Sequence, residues 1–352
     1  MTHGNHGGDC LRSNILDFSV NINPMGLPGR VASIISKSTD AVLSYPDPSS
    51  ERLKNRLALL NNVKPENVVI GNGSIELIHL IPRAIKIKRA IIPVPTFSEY
   101  ELALKANNSK IVFLNTDERD NFKVDPAKIA DALKQCCALF LCNPNNPTGS
   151  LLNADEVLRI AYLCKKRKTT LILDEAFIEF TKEAAASGIV KEAVKSGYLI
   201  VLRSLTKFFA MPGLRLGYAV AHKNIIKKIA GFQYPWNVNI LAQLAGKEAI
   251  KDRAYMKKTP VFISEERRYM SEALNNIKGL KAYPSSANFI LCKLQDASIR
   301  DCGGLKRRLL RDGIYIRDCG NFRGLNGRFF RVAVRRRMDN NRLISSIKKA
   351  IR

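Results

Sequence analysis

Metal-ligand spacing is missing from this sequence. The eight cysteines, at positions 10, 136, 137, 142, 164, 292, 302 and 319, include no CxxC pair, and the four histidines fall into no ligand pattern. Neither a zinc site nor a disulfide framework is expected. No apolar run approaches the ~18 residues needed to cross a bilayer, so no membrane partner is expected. The opening segment, Met1-Thr-His-Gly-Asn-His-Gly-Gly-Asp, lacks the apolar core of a signal peptide. The expectation is a cytoplasmic protein with reduced thiols. Neither the Rossmann nor the P-loop glycine fingerprint occurs, which argues against those nucleotide-binding modes.

Acidic residues are scarce. There are 31 Asp+Glu against 57 Lys+Arg in 352 residues, a formal charge of +26. Such a surplus suits a nucleic-acid binder or an enzyme that handles anions. The basic residues are dispersed, in runs such as Lys165-Lys166-Arg167-Lys168 and Arg335-Arg336-Arg337, without the interleaved aromatics of a base-stacking platform. Solvated helix faces are the favoured reading, and no nucleic-acid partner is expected. The remaining composition, 46% hydrophobic and 25% charged, is that of an ordinary globular chain.

What is present is an alternation of β-rich runs and helical stretches. The runs Asn67–Ile70, Ala90–Ile92, Lys110–Leu114, Ala138–Leu141, Thr170–Leu173, Leu199–Leu202 and Leu216–Val220 are strongly apolar. They predict an α/β fold with one large, mostly parallel seven-stranded sheet covered on both faces. Between them, Leu53, Leu57 and Leu60 form one helical stripe after Ser50, a candidate N-cap. Past Trp236 a smaller α+β unit is expected. It would have a long helical region over 240–278, strands at Phe289–Cys292, Ile314–Ile316 and Phe329–Val334, and a closing helix Arg342–Ile351. The first residues, rich in Gly, Asn and Pro, read as an arm. The expected division is an arm over 1–30 packing with the small domain, a large domain over 31–238 and a small C-terminal domain over 239–352.

Four segments carry chemistry. Asp174 directly follows the run Thr170–Leu173. A carboxylate buried there is costly without a cation, and a protonated pyridine nitrogen is one such cation; the other reading is an Asp that caps the next helix. In Ser204-Leu-Thr206-Lys207, followed by Arg215, a lysine sits between hydroxyls and a guanidinium. That set suits a phosphorylated aldehyde, with Lys207 forming a Schiff base and Ser204, Thr206 and Arg215 holding the phosphate. Asn146, in Cys142-Asn-Pro-Asn-Asn146-Pro-Thr-Gly149, lies in a rigid turn and can donate to a phenolic oxygen. The turn Gly71-Asn-Gly73-Ser74 opens a helix whose free amides form an anion site.

In this order and spacing, GNG, NPNNPTG, DEAF and SLTKxxxxPGLRLGY resemble the fold-type I pyridoxal phosphate (PLP) enzymes, the aspartate-aminotransferase superfamily, along nearly the whole chain. The resemblance implies that Lys207 is the Schiff-base lysine and Asp174 the partner of the pyridine nitrogen. It implies that Asn146 donates to the ring oxygen and that Gly73, Ser74, Ser204, Thr206 and Arg215 cradle the phosphate. Phe97 would stack on the ring, and Arg331 would bind the substrate carboxylate. Tyr45 would reach the phosphate of a neighbouring subunit, which implies a homodimer. Most members of this branch carry Tyr where Phe177 stands; Phe177 lacks the phenol that bonds the ring oxygen, which sets the chain apart from a plain transaminase.

Within the superfamily, the segments His6-Gly7-Gly, Leu16–Gly26, Pro235–Asn239, Tyr283–Asn288 and Ile316-Arg317-Asp-Cys resemble the threonine-phosphate decarboxylases of cobalamin biosynthesis. Asp9 stands where that family has Asn. The resemblance implies that His6, Gly7, Asn21, Asn146, Arg317 and Arg331 bind O-phospho-L-threonine, the last two from strand ends. Histidinol-phosphate aminotransferase, a sister group with a phosphate substrate, is the alternative.

Overall fold

The computed structural model describes residues 8, 14–182, 187–295, 299 and 301–351. A short strand β1 (Leu16–Asp17) precedes the strands of the large sheet. These are β2 (Val68–Asn72), β3 (Arg89–Val94), β4 (Lys110–Asn115), β5 (Ala138–Cys142), β6 (Thr170–Asp174), β7 (Leu199–Ser204) and β8 (Leu216–Val220). Each expected run is a strand of one seven-stranded sheet, ordered β2-β8-β7-β6-β5-β3-β4. Only the contacts of β8 with β7 and β2 are antiparallel.

Alternation in the central strands explains why their sequences look uniformly apolar. In β5, Ala138, Phe140 and Cys142 join one apolar cluster, while Leu139 and Leu141 join another on the opposite face. Ile172 in β6 and Ile200 in β7 follow the first set; Leu171, Leu173, Leu199 and Val201 follow the second. Helices cover both clusters, so neither face can be polar.

The smaller sheet is antiparallel, ordered β12-β13-β10-β9. Its strands are β9 (Leu280–Ala282), β10 (Phe289–Leu294), β12 (Arg317–Asp318) and β13 (Phe329–Ala333). The expected strand Ile314–Ile316 is divided. β11 (Ile314–Tyr315) pairs with β1, and the chain then turns to pair Arg317–Asp318 with β13.

Other expectations need correction. Ser50 does not cap its helix: it is left-handed (φ 50°), and the Asp47 carboxylate instead accepts from the Glu51 amide at 2.7 Å. Leu53 and Leu57 are buried as expected. The helical region over 240–278 is two helices, Ile240–Ala249 and Arg253–Asn275, because Asp252 caps the second by accepting from the Tyr255 amide. The closing helix begins at Arg337 rather than Arg342. Asn67 belongs to a turn, not to β2. The arm enters the core as well as the surface: Phe18 is fully buried, and the Ala333 amide donates to its carbonyl at 2.9 Å. No helix of the described residues is long and apolar enough to cross a membrane.

Because β2 and β8 are antiparallel neighbours, Gly71 pairs with Gly217, and the turn after β2 lies on the start of β8. A Cβ added at Gly217 would stand 2.3 Å from the Ser74 amide nitrogen. The Gly217→Ala variant is expected to lose about 1–3 kcal/mol of stability through overpacking. Urea unfolding measures this; an unchanged midpoint would show that the Gly73–Ser74 turn has room to move.

Candidate active site

The carboxyl ends of β5, β6 and β7 converge on one cavity, the position at which open α/β sheets hold ligands. Asn146 follows β5, Asp174 ends β6, and Ser204 ends β7; all three line the cavity. Lys207 lies in the helical turn Leu205–Phe208 directly after β7. The arm holds that turn in place: the Asn23 amide donates to the Lys207 carbonyl at 3.1 Å, and its side-chain amide donates to the Phe208 carbonyl at 2.7 Å.

One side of the cavity is built for a phosphate. Gly73 (φ 77°) passes the chain into the helix Ser74–Ala84, whose first amides have no intrahelical partner. A Cβ on Gly73 would stand 2.9 Å from Arg215 Nη2, so glycine leaves room for that guanidinium. The Ser204 and Thr206 hydroxyls lie 2.7 Å apart in the same cavity. A cation, two hydroxyls and a helix N-terminus together form an anion cradle.

The floor carries a carboxylate. Asp174 is buried, and its oxygens accept from the Tyr100 hydroxyl at 2.7 Å and the Ala176 amide at 3.0 Å. Burial raises its pKa against the lowering effect of both bonds. Those two described donors are neutral, so the site suits a cationic ring nitrogen. The alternative role, capping the next element, survives only as the bond to Ala176. Phe97 and Phe177 line the same cavity, the latter edge-on to Phe289 with ring centroids 5.0 Å apart.

The amine of Lys207 is held in an apolar, cationic setting. Burial, reinforced by Arg215 and Arg331, lowers its pKa to about 8. A neutral, nucleophilic amine is therefore available near neutral pH.

The opposite wall carries Arg317 and Arg331, directly paired across β12 and β13. Arg317 opens its strand; Arg331, expected at a strand end, is the central residue of β13. Their described hydrogen bonds reach neutral acceptors: Arg317 bonds the Asp318 carbonyl and Asn321 Oδ1, and Arg331 bonds Asn146 Oδ1 and the Ser19 carbonyl. Arg331 Nε is buried without a partner, and so is Asn21 Oδ1. Burial and the facing Arg317 lower the Arg331 pKa to about 10. Two like charges on opposed positions repel, and an anion between them relieves the repulsion.

The fold thus brings together Asn21, Gly73, Ser74, Phe97, Asn146, Asp174, Phe177, Ser204, Thr206, Lys207, Arg215, Arg317 and Arg331. Tyr45 is elsewhere: it is 81% exposed and rests against Trp236, ring centroids 4.8 Å apart. His6, Gly7 and Asp9 lie outside the described residues. Gly8 is described, and its amide donates to Ser19 Oγ at 2.9 Å beside the cavity. Sequence reasoning missed Tyr100 and Asn23. Tyr100 follows Phe97 by three residues, but nothing local shows that its hydroxyl meets Asp174.

The aminotransferase class I and II model matches residues 13–347, and the chain belongs to that family. A protein of Caldanaerobacter subterraneus subsp. tengcongensis, provisionally named a threonine-phosphate decarboxylase, is 40% identical over 97% of this chain and 93% of its own length. The threonine-phosphate decarboxylase of Salmonella typhimurium is 37% identical over 98% of this chain and 96% of its own. The histidinol-phosphate aminotransferase of Clostridium acetobutylicum is similar in structure, with a TM-score of 0.88, 34% identity and coverage of 95% of this chain and 98% of that one. The fold is fold-type I, and the family uses pyridoxal 5'-phosphate. The cavity fits that cofactor: it offers a buried amine, a buried carboxylate whose described donors are neutral, and a phosphate cradle kept open by Gly73.

In protein stripped of cofactor, the reactivity of Lys207 toward an acylating reagent is expected to rise with a midpoint near pH 8, since its pKa is lowered to about 8. Mass-spectrometric peptide mapping across pH checks this. A midpoint equal to that of the exposed lysines would remove the burial argument.

Proposed function

We propose that the chain is a cytoplasmic, PLP-dependent carboxy-lyase that converts O-phospho-L-threonine to (R)-1-amino-2-propanol O-2-phosphate and carbon dioxide for corrinoid synthesis. The observation that carries this reading is the paired wall of Arg317 and Arg331, with its orphaned Nε, facing Lys207 in one cavity. A substrate with a carboxylate and a phosphate dianion needs two cations beyond those that hold the cofactor. The relatives at 40% and 37% identity support the same substrate.

When bound, the cofactor supplies an electron sink conjugated to the substrate α-carbon. The protein does the rest. Asp174 would hold the ring nitrogen and keep it protonated. Asn146 would donate to the ring oxygen, where Phe177 offers no second donor. Ser74, Ser204, Thr206 and Arg215 would hold the phosphate, with Gly73 leaving space. Phe97 would cover the ring. Arg317 and Arg331, with Asn21, Asn146 and the His6-Gly7 segment, anchor the substrate anions. Firm anchoring of the phosphate would hold the carboxylate in position to leave as carbon dioxide, and Lys207 Nζ would hold the proton that replaces it on the α-carbon.

The assembly we propose is a homodimer in which Tyr45 reaches the partner's cofactor phosphate. Val42, Leu43, Tyr45, Tyr234 and Trp236 are exposed apolar side chains around that position, a surface suited to a second copy. The division into an arm (1–30), large domain (31–238) and small domain (239–352) is part of the same reading, supported by the pairing of β1 with β11.

Incubation with O-phosphothreonine should release stoichiometric carbon dioxide without any keto acid. Unphosphorylated threonine should react at least about 100-fold more slowly, because charge-assisted contacts are lost. Glutamate formed from 2-oxoglutarate and histidinol phosphate, with no gas from O-phosphothreonine, would establish the aminotransferase instead. For assembly, inactive Lys207→Ala chains mixed with impaired Tyr45→Phe chains should regain activity, up to about a quarter of wild type, because a hybrid dimer contains one intact site. An active monomer on sizing would refute that arrangement.

A further inference from the structure

Tyr100 is used by none of the roles above, yet it is fully enclosed at the site. It lies on the helix Glu99–Ala106, which follows β3, and is fully buried. Its hydroxyl donates to Asp174 Oδ2 at 2.7 Å. To do so it reaches across the end of β5, where Cys142 pairs with Asp174. Its ring is clamped between Phe97, edge-on with centroids 5.7 Å apart, and Phe140, stacked at 5.4 Å. One side chain thus touches both Phe97 and Asp174, two residues of the cavity lining.

We propose that Tyr100 is a positioning residue for cofactor chemistry: its hydrogen bond keeps the Asp174 carboxylate ionised and aimed, and its ring sets the position of Phe97. The inference rests on the reading of Asp174 as the ring-nitrogen partner. The physical need is clear from the surroundings. Asp174 is buried beside a second carboxylate, Glu175, and beside the Cys142 thiol, and the donors described for it are Tyr100 and the Ala176 amide. Glu175 is committed to Arg203, at 2.9 Å, so that cation does not serve Asp174 directly. Without the phenol, one carboxylate oxygen would lose its only described donor. The carboxyl would then compete more strongly for the proton shared with the ring nitrogen.

The readout is the 15N resonance of cofactor labelled at the ring nitrogen, bound to the full-length enzyme. Tyr100→Phe should move it toward the value of an unprotonated pyridine. Turnover should fall about ten- to a hundredfold, the cost of a hydrogen bond to a charged group, with KM changed less than about twofold. Lys207 should still tether the cofactor, as borohydride reduction and peptide mapping will show. Should Tyr100→Phe fold poorly, 3,5-difluorotyrosine at position 100 keeps the ring and strengthens the donor; it should move the resonance the other way. An unmoved resonance in whichever variants fold overturns the proposal, as does a fall in turnover without a resonance shift. Asp174→Asn separates the two readings. If it leaves the resonance at the wild-type value, the assignment of Asp174 has failed; if it shifts the resonance and Tyr100→Phe does not, only the role of Tyr100 has failed.

Discussion

A carboxylate buried at the end of β6 beside an amine buried after β7 is the constraint on which the rest of the site depends. Asp174 is driven toward its neutral acid and Lys207 toward its neutral amine by the same loss of water. Among the described residues the two form no ion pair with each other; each is left for a third party. A group with a cationic ring nitrogen and a reactive carbonyl satisfies both at once. This makes the protein without cofactor the less comfortable state and gives binding part of its driving force.

The same logic governs the wall opposite. Arg317 and Arg331 face each other on adjacent strands, and their described acceptors are uncharged. Asn146 links the two halves, because its side-chain oxygen accepts from Arg331 while its turn belongs to the large sheet. The arm completes the wall through the Ser19 carbonyl and Asn21.

Geometric tolerance is small where the two sheets meet. A Cβ on Gly149 (φ 74°) would lie 2.1 Å from Ser285 Oγ, and the Ser286 amide donates to the Gly149 carbonyl at 2.8 Å. Across the same junction, Glu118 accepts from the Tyr283 hydroxyl at 2.6 Å and from Lys293 at 2.8 Å. Arg323 bonds Glu101 and stacks on Phe113, 4.0 Å from the ring centroid. These contacts tie the strands bearing Arg317 and Arg331 to the large sheet, whose strand β7 leads into the turn bearing Lys207, so the two guanidinium groups and the amine keep one spacing.

By itself the sequence determined the seven strands, their cover on both faces, and the polar residues at their carboxyl ends. Those features are local: a strand's apolar run, and the turn chemistry that follows it, are written in consecutive residues. The GNG, NPNNPTG and SLTK segments place Gly73, Ser74, Asn146, Ser204, Thr206 and Lys207 on the cavity in this way. Only the tertiary structure decided that Arg331 meets Asn146, 185 positions away, and the Ser19 carbonyl, 312 positions away. It likewise decided that Tyr100 donates to Asp174 across 74 positions, that Asp47 rather than Ser50 caps its helix, and that the arm buries Phe18 in the core. Each of these depends on which surfaces come to face one another once the apolar faces are covered, and no local period or motif encodes that.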